Sequence, residues 1–151
     1  MRIAPDTSRD TAVRITRTFQ ASRERVFRAW TEPAQLQQWW GPEGFSTPSC
    51  QIDLRVGGGY RLTMKPAAGD SFDLVGTYRE VRPPERLVYT WAWRGRDVEM
   101  GETLVTVEFL DRDGATEVVV THELLPNEAR RDGHRRGWEG SLDRLVELLT
   151  R

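Results

Sequence analysis

Residues 127–150 read NEARRDGHRRGWEGSLDRLVELLT. From Glu128 onward Trp138, Leu142, Leu145, Val146, Leu148 and Leu149 recur at the spacing of a helix that buries one face. Pro126 breaks the preceding pattern, and the Asn127 side chain is suited to cap the new helix. About 23 residues at a rise of ~1.5 Å each predict a helix some ~35 Å long, enough to cross a curved sheet. The residues before it supply such a sheet. Thr116, Val118, Val120 and His122 alternate with polar neighbours, and so do Thr103, Val105, Val107 and Phe109, with the turn Asp111-Arg112-Asp113-Gly114 between the two runs. Further upstream, Leu87, Tyr89, Trp91 and Trp93 share one face after a turn at Pro83-Pro84. Phe72, Leu74, Gly76 and Tyr78 form another alternating run, and Tyr60, Leu62 and Met64 a third. Residues 45–54 end at Gly57-Gly58-Gly59, a turn between two strands and hence no phosphate loop.

The N-terminal part opens with one more strand, residues 11–19, where Val13, Ile15 and Phe19 share a side. Ser22 then caps a helix through Val26, Phe27 and Trp30. Pro33 opens a second short helix carrying Leu36, Trp39 and Trp40, stopped by Gly41-Pro42. Seven strands joined by hairpin-length turns imply an antiparallel sheet. The expected class is α+β, with two short helices after the first strand and one long C-terminal helix.

The 151 residues suit a single domain over 12–151 behind a loose polar tail over 1–11. Hydrophobic residues at 38% and charged residues at 30% describe a globular chain. A net charge of -1 argues against a broad nucleic-acid surface. No apolar run reaches the length of a membrane-spanning helix and no signal-peptide core is seen, so a cytoplasmic protein without membrane insertion is expected. Cys50 is the one cysteine, which excludes an internal disulfide and a cysteine-rich zinc site. With only His122 and His134 beside it, neither a metal nor another cofactor is expected.

Few side chains announce chemistry. His122 points inward by strand alternation, as a hydrogen-bonded core residue or a ligand contact. His134 lies one helical turn before Trp138, facing a cavity mouth or solvent. Arg17 shares the apolar side of the first strand, so burial requires a partner there, Asp53 or a carboxylate on a neighbouring strand. Cys50 reads as a small buried group. Arg130, Arg131, Arg135 and Arg136, interleaved with Glu128, Asp132 and Glu139, read as a solvated helix face. Gly137 and Gly140 each weaken the long helix, which close packing or a cavity wall explains. Trp39 and Trp40 point about 100° apart on a helix, so one is expected inside and the other at a cavity opening or contact surface.

Taken in order, Ile15-Thr16-Arg17, SRERVFRAW over 22–30, Trp39-Trp40-Gly41-Pro42, Asp53-Leu54-Arg55-Val56-Gly57-Gly58, Gly76-Thr77-Tyr78, PPERLVYTW over 83–91, Thr116-Glu117-Val118 with His122, and Gly137-Trp138 with Leu142-Asp143-Arg144-Leu145 resemble the activator of heat-shock-protein-90 ATPase homologue family. The resemblance spans about residues 12–150. That family belongs to the START and birch-pollen-allergen (SRPBCC) superfamily of helix-grip folds, in which the sheet wraps around the C-terminal helix. The resemblance implies an apolar cavity between the two. It implies three functions: binding of a small hydrophobic molecule (lipid, sterol or polyketide-like) with a role in stress response; partnership with a chaperone, a heat-shock-protein-90 homologue; or a cyclase- or hydrolase-like activity with His122 and a tyrosine hydroxyl as acid and base. Binding is the leading expectation, by a monomer or homodimer. The expected lining is Trp39, Trp40, Tyr60, Tyr78, Tyr89, Trp91, Phe109, His122, Trp138 and Leu142.

Overall fold

The computed structural model describes residues 11–150, so the tail expected over 1–11 lies outside the described residues except for Thr11. Strand β1 (Val13–Phe19) leads into helices α1 (Arg23–Thr31) and α2 (Pro33–Trp39). Then come β2 (Phe45–Ile52), β3 (Gly59–Pro66), β4 (Phe72–Arg82), β5 (Arg86–Arg94), β6 (Thr103–Arg112), β7 (Ala115–Glu123) and the long helix α3 (Glu128–Leu149). A single helical turn, Val98–Met100, sits between β5 and β6. The seven strands form one antiparallel sheet in the order β1-β7-β6-β5-β4-β3-β2. Sequence neighbours pair throughout from β2 to β7, and β1 closes the far side against β7.

The helix starts follow from side-chain caps. Ser22 Oγ accepts from the Arg25 N–H at 3.3 Å, and Asn127 Oδ1 accepts from the Arg130 N–H at 2.9 Å. Pro33 occupies the first turn of α2, where its missing N–H costs nothing. On the sheet, period-two alternation puts Val105, Val107 and Phe109 of β6 and Val118, Val120 and His122 of β7 on the buried side. The sheet curls around α3, whose Trp138, Leu142 and Leu145 are 2%, 0% and 0% exposed. Each such side chain contributes about 1.5–3 kcal/mol by leaving water. This is the helix-grip arrangement.

Gly76 sets one local detail. It faces Tyr60 across the β3–β4 pair, and a Cβ there would collide with the Tyr60 ring and the Thr90 carbonyl. Its absence lets Tyr60 lie across the sheet and donate its hydroxyl to Thr90 O at 2.6 Å.

Three expectations need correction. Arg17 is only partly buried and pairs with Asp143 of α3 at 2.7 Å, not with Asp53 or a strand carboxylate. Asp53 follows β2, and β2 and β1 are the opposite edges of the sheet; Asp53 instead meets Arg55 at 2.9 Å. Cys50 is half-buried at the β2 edge, and burial pushes its thiol up to about 11. Strand β2 ends at Ile52, and Leu54 is exposed in the turn that follows.

Candidate functional site

Between the β2–β5 side of the sheet and the N-terminal half of α3 the packing stays open. A cavity of about 320 Å³ is bounded by Trp40, Gly41, Pro42 and Phe45 from the α2–β2 region, Met64 and Phe72 from β3 and β4, and Trp91 and Trp93 from β5. Ala129, Gly133, His134, Gly137, Trp138 and Ser141 of α3 form the opposite wall, and Arg96, Asp97 and Arg130 the polar rim.

The two helix glycines explain why a space remains. At Gly140 a Cβ would stand 2.9 Å from the Pro42 Cβ and 3.1 Å from its Cα, so this glycine lets α3 approach the Gly41-Pro42 turn closely. Ser141 Oγ accepts from the Gly41 N–H at 3.1 Å, and Arg144 Nη1 donates to Gly41 O at 2.8 Å. One turn earlier, a Cβ on Gly137 would meet nothing within 4 Å. Gly140 therefore closes the helix onto the turn, and Gly137 leaves the cavity wall bare.

The aromatic wall is rigid because its members brace one another. Ring centroids of Trp40, Trp91 and Trp138 lie 5.4–5.6 Å apart in all three pairs, and Trp91 and Trp93 stand edge-to-face at 5.5 Å. Trp138 Nε1 donates to His122 Nδ1 at 3.2 Å, and His122 Nε2 lies 2.8 Å from Thr103 Oγ1. Because Nδ1 accepts, Nε2 carries the proton and donates to Thr103, whose hydroxyl donates onward to Trp91 O at 3.1 Å. Trp93 Nε1 donates to His134 Nε2 at 3.2 Å, which leaves His134 Nδ1 to donate to Arg130 O at 2.7 Å. Both imidazoles are thus held neutral. Burial pushes the His122 pKa well below its ordinary value, and the neighbouring His134, with ring centroids 5.2 Å apart, adds to this. Burial lowers the His134 pKa as well, against the pull of its hydrogen bond to Arg130 O.

Of the side chains expected from sequence to line the cavity, Trp40, Trp91 and Trp138 do so. His122 stands behind the Trp91 and Trp138 rings, fully buried. Trp39 is 0% exposed and donates to Ala29 O at 2.9 Å, inside the α1–α2 corner. Phe109 packs against Phe27 and Trp30, and Leu142 is wholly buried under α3. Tyr60, Tyr78 and Tyr89 meet each other at 5.4–5.9 Å around a separate void of about 20 Å³, room for a water molecule. Burial pushes all three tyrosine hydroxyls above their ordinary range. His134, read from sequence as facing a cavity mouth or solvent, borders the cavity, and the lining that sequence reasoning missed includes Phe45, Met64, Phe72, Trp93 and Arg96. Alternation placed Trp93 and Phe72 on the correct face, but only the pairing of β4 with β5 beside α3 shows that they border space and not core.

Arg130 departs from the reading of a solvated basic face. Its guanidinium sits between Asp97 and Glu99 of the β5–β6 connection at 2.9 and 2.8 Å and ties α3 to that connection. Among the described residues no three of His, Cys, Asp or Glu gather at metal-binding spacing, and no helix is long and apolar enough to cross a membrane.

A curled sheet gripping a helix over an aromatic-walled cavity defines a START-like, helix-grip protein. The chain matches, over residues 20–150, the family described as Activator of Hsp90 ATPase homolog 1-like protein, and it belongs to that family. Among solved structures, protein CV1439 from Chromobacterium violaceum is similar at 28% identity with a TM-score of 0.82, covering 93% of this chain and 97% of that one. The AHSA1 (SPO3351) protein from Silicibacter pomeroyi is 30% identical with a TM-score of 0.80, covering 92% and 97%. A protein from Rhodobacter sphaeroides is 26% identical with a TM-score of 0.80, covering 99% and 97%. No curated protein matches the chain in sequence.

Proposed function

We propose that the protein binds a small, largely apolar molecule, in part aromatic, in the cavity between β3–β5 and α3. The observation that carries this reading is the open space of about 320 Å³ beside Gly137, walled by Trp40, Trp91, Trp93, Trp138, Phe45 and Phe72. A chain that buries Trp39, Phe109 and Leu142 completely has the side chains to fill such a space, yet leaves glycine at its wall. The volume lies at the small end of the roughly 300–1,000 Å³ range of ligand pockets, which favours a compact ring system over a sterol or a two-chain lipid. Binding draws its free energy from apolar burial at about 25 cal/mol per Å², and the braced indoles lose little freedom on closing around a guest.

Binding is favoured over acid–base chemistry at His122, because both nitrogens of that ring are already engaged and indoles stand between it and the cavity.

A thermal-shift series with bicyclic and tricyclic aromatic compounds tests the proposal. A guest at about 100 times its Kd adds some ~2.7 kcal/mol and raises Tm by several degrees. The Gly137→Leu variant, whose side chain projects into the open space, is expected to fold and to lose that response. Equal shifts for both proteins, or none from any compound, would count against the cavity as the binding site.

A further inference from the structure

Around the cavity, Asp97 Oδ1 is engaged by Arg130, His134 Nε2 by the Trp93 N–H, and Ser141 Oγ by the Gly41 N–H. Three donors of its walls lack a partner among the described residues. The indole N–H groups of Trp40 and Trp91 are buried with no hydrogen-bond partner, although both residues are 96% buried. The third is Arg96. Its guanidinium carbon lies 4.8 Å from the centre of the Phe72 ring, which pins the charge against the cavity wall. Arg96 has no ion-pair partner among the described residues. The other rim cation, Arg130, is enclosed by Asp97 and Glu99. The donor that stands at the cavity mouth without a counter-ion is therefore the Arg96 guanidinium, and a guest that carries an anionic acceptor complements it.

We propose that the guest is an apolar acid whose anionic oxygen group, of the carboxylate class, is received by Arg96 at the rim while its ring system lies against Phe72, Trp91 and Trp93. This rests on the cavity reading above and adds the chemical class to it. A planar guanidinium suits a carboxylate because it can donate two parallel N–H bonds, and its charge lies over the Phe72 ring beside the opening.

The test uses three probes of one ring system: naphthalene, the methyl ester of a naphthalene carboxylic acid, and the free carboxylate. Their affinities are measured by titration calorimetry on the wild-type chain, Arg96→Met and Arg96→Lys. Arg96 is exposed at the rim, so both variants are expected to fold, with circular dichroism as the check. The carboxylate is expected to bind the wild type more tightly than the ester. Arg96→Met should weaken carboxylate binding roughly tenfold, the worth of a charge-assisted hydrogen bond at a partly exposed site, and move naphthalene and ester by less than about twofold. Arg96→Lys should keep most of the preference, which should fade with added salt. If ester and hydrocarbon bind as well as the acid and Arg96→Met changes nothing, the acid assignment falls and the cavity reading stands. If none of the three binds, both fall.

Discussion

An imidazole is cheaper to bury neutral than charged, and His122 is surrounded for the neutral form: an indole donates to one nitrogen and a threonine hydroxyl accepts from the other. Its pKa in the folded chain lies well below the ordinary 6.5, and that of His134 lies below it too. Between the folded and unfolded values the unfolded chain binds more protons. Stability therefore rises with pH through that window and is lost as pH falls below about 6.5. Each histidine contributes a slope of at most ~1.36 kcal/mol per pH unit. Denaturant unfolding followed from about pH 7 to about pH 5 should show this loss, and His122→Gln, which keeps an acceptor and a donor, should flatten it. An unchanged slope in that variant would contradict the neutral, buried assignment. Asp73, held low by Thr63 and Arg61, acts in the same direction but only nearer its ordinary 3.8, so the two windows separate. Strand alternation made the inward aim of His122 legible in sequence. Its partners were not legible, because Thr103 and Trp138 reach it from another strand and from α3, contacts that depend on sheet order and helix placement.

Within α3 the same residue type does opposite work one turn apart. Gly137→Ala gains helix propensity of about 0.5–1 kcal/mol and meets no neighbour within 4 Å, so it should stabilise the protein by that amount. Gly140→Ala gains the same propensity but drives a methyl to 2.9 Å from the Pro42 Cβ and 3.1 Å from its Cα. A net destabilisation of at least ~1 kcal/mol is expected from the clash. Urea midpoints of the two variants settle the point; Gly140→Ala as stable as Gly137→Ala would mean that the helix does not press on the turn. Sequence spacing located α3, its cap and its buried stripe. It assigned both glycines to packing or a cavity wall without dividing the roles, since that depends on which turn of the helix faces Gly41-Pro42. The Arg17–Asp143 pair escaped the reading for a related reason: it joins the first strand to the last helix, 126 positions apart.

At the scale of the molecule, the order of elements was readable because period-two and period-3.6 patterns seldom overlap in this chain. Three of the ten expected lining residues border the 320 Å³ cavity, since inward-facing means only that a side chain leaves solvent, not that it borders space. The C-terminal half of α3 is packed by Leu142, Leu145, Leu148 and Leu149, while its N-terminal half carries Gly133, His134 and Gly137 over the opening. The gradient from leucine to glycine along one helix makes a closed end and an open end. The central claim is that the open end is a binding site, and the six tryptophans report on it directly. Indole N–H resonances followed by NMR during titration with the naphthalene carboxylate should shift for Trp40, Trp91, Trp93 and Trp138, which line the cavity, and stay nearly fixed for Trp39, sealed in the α1–α2 corner. Shifts spread evenly over all six, or confined to residues outside the lining, would contradict it.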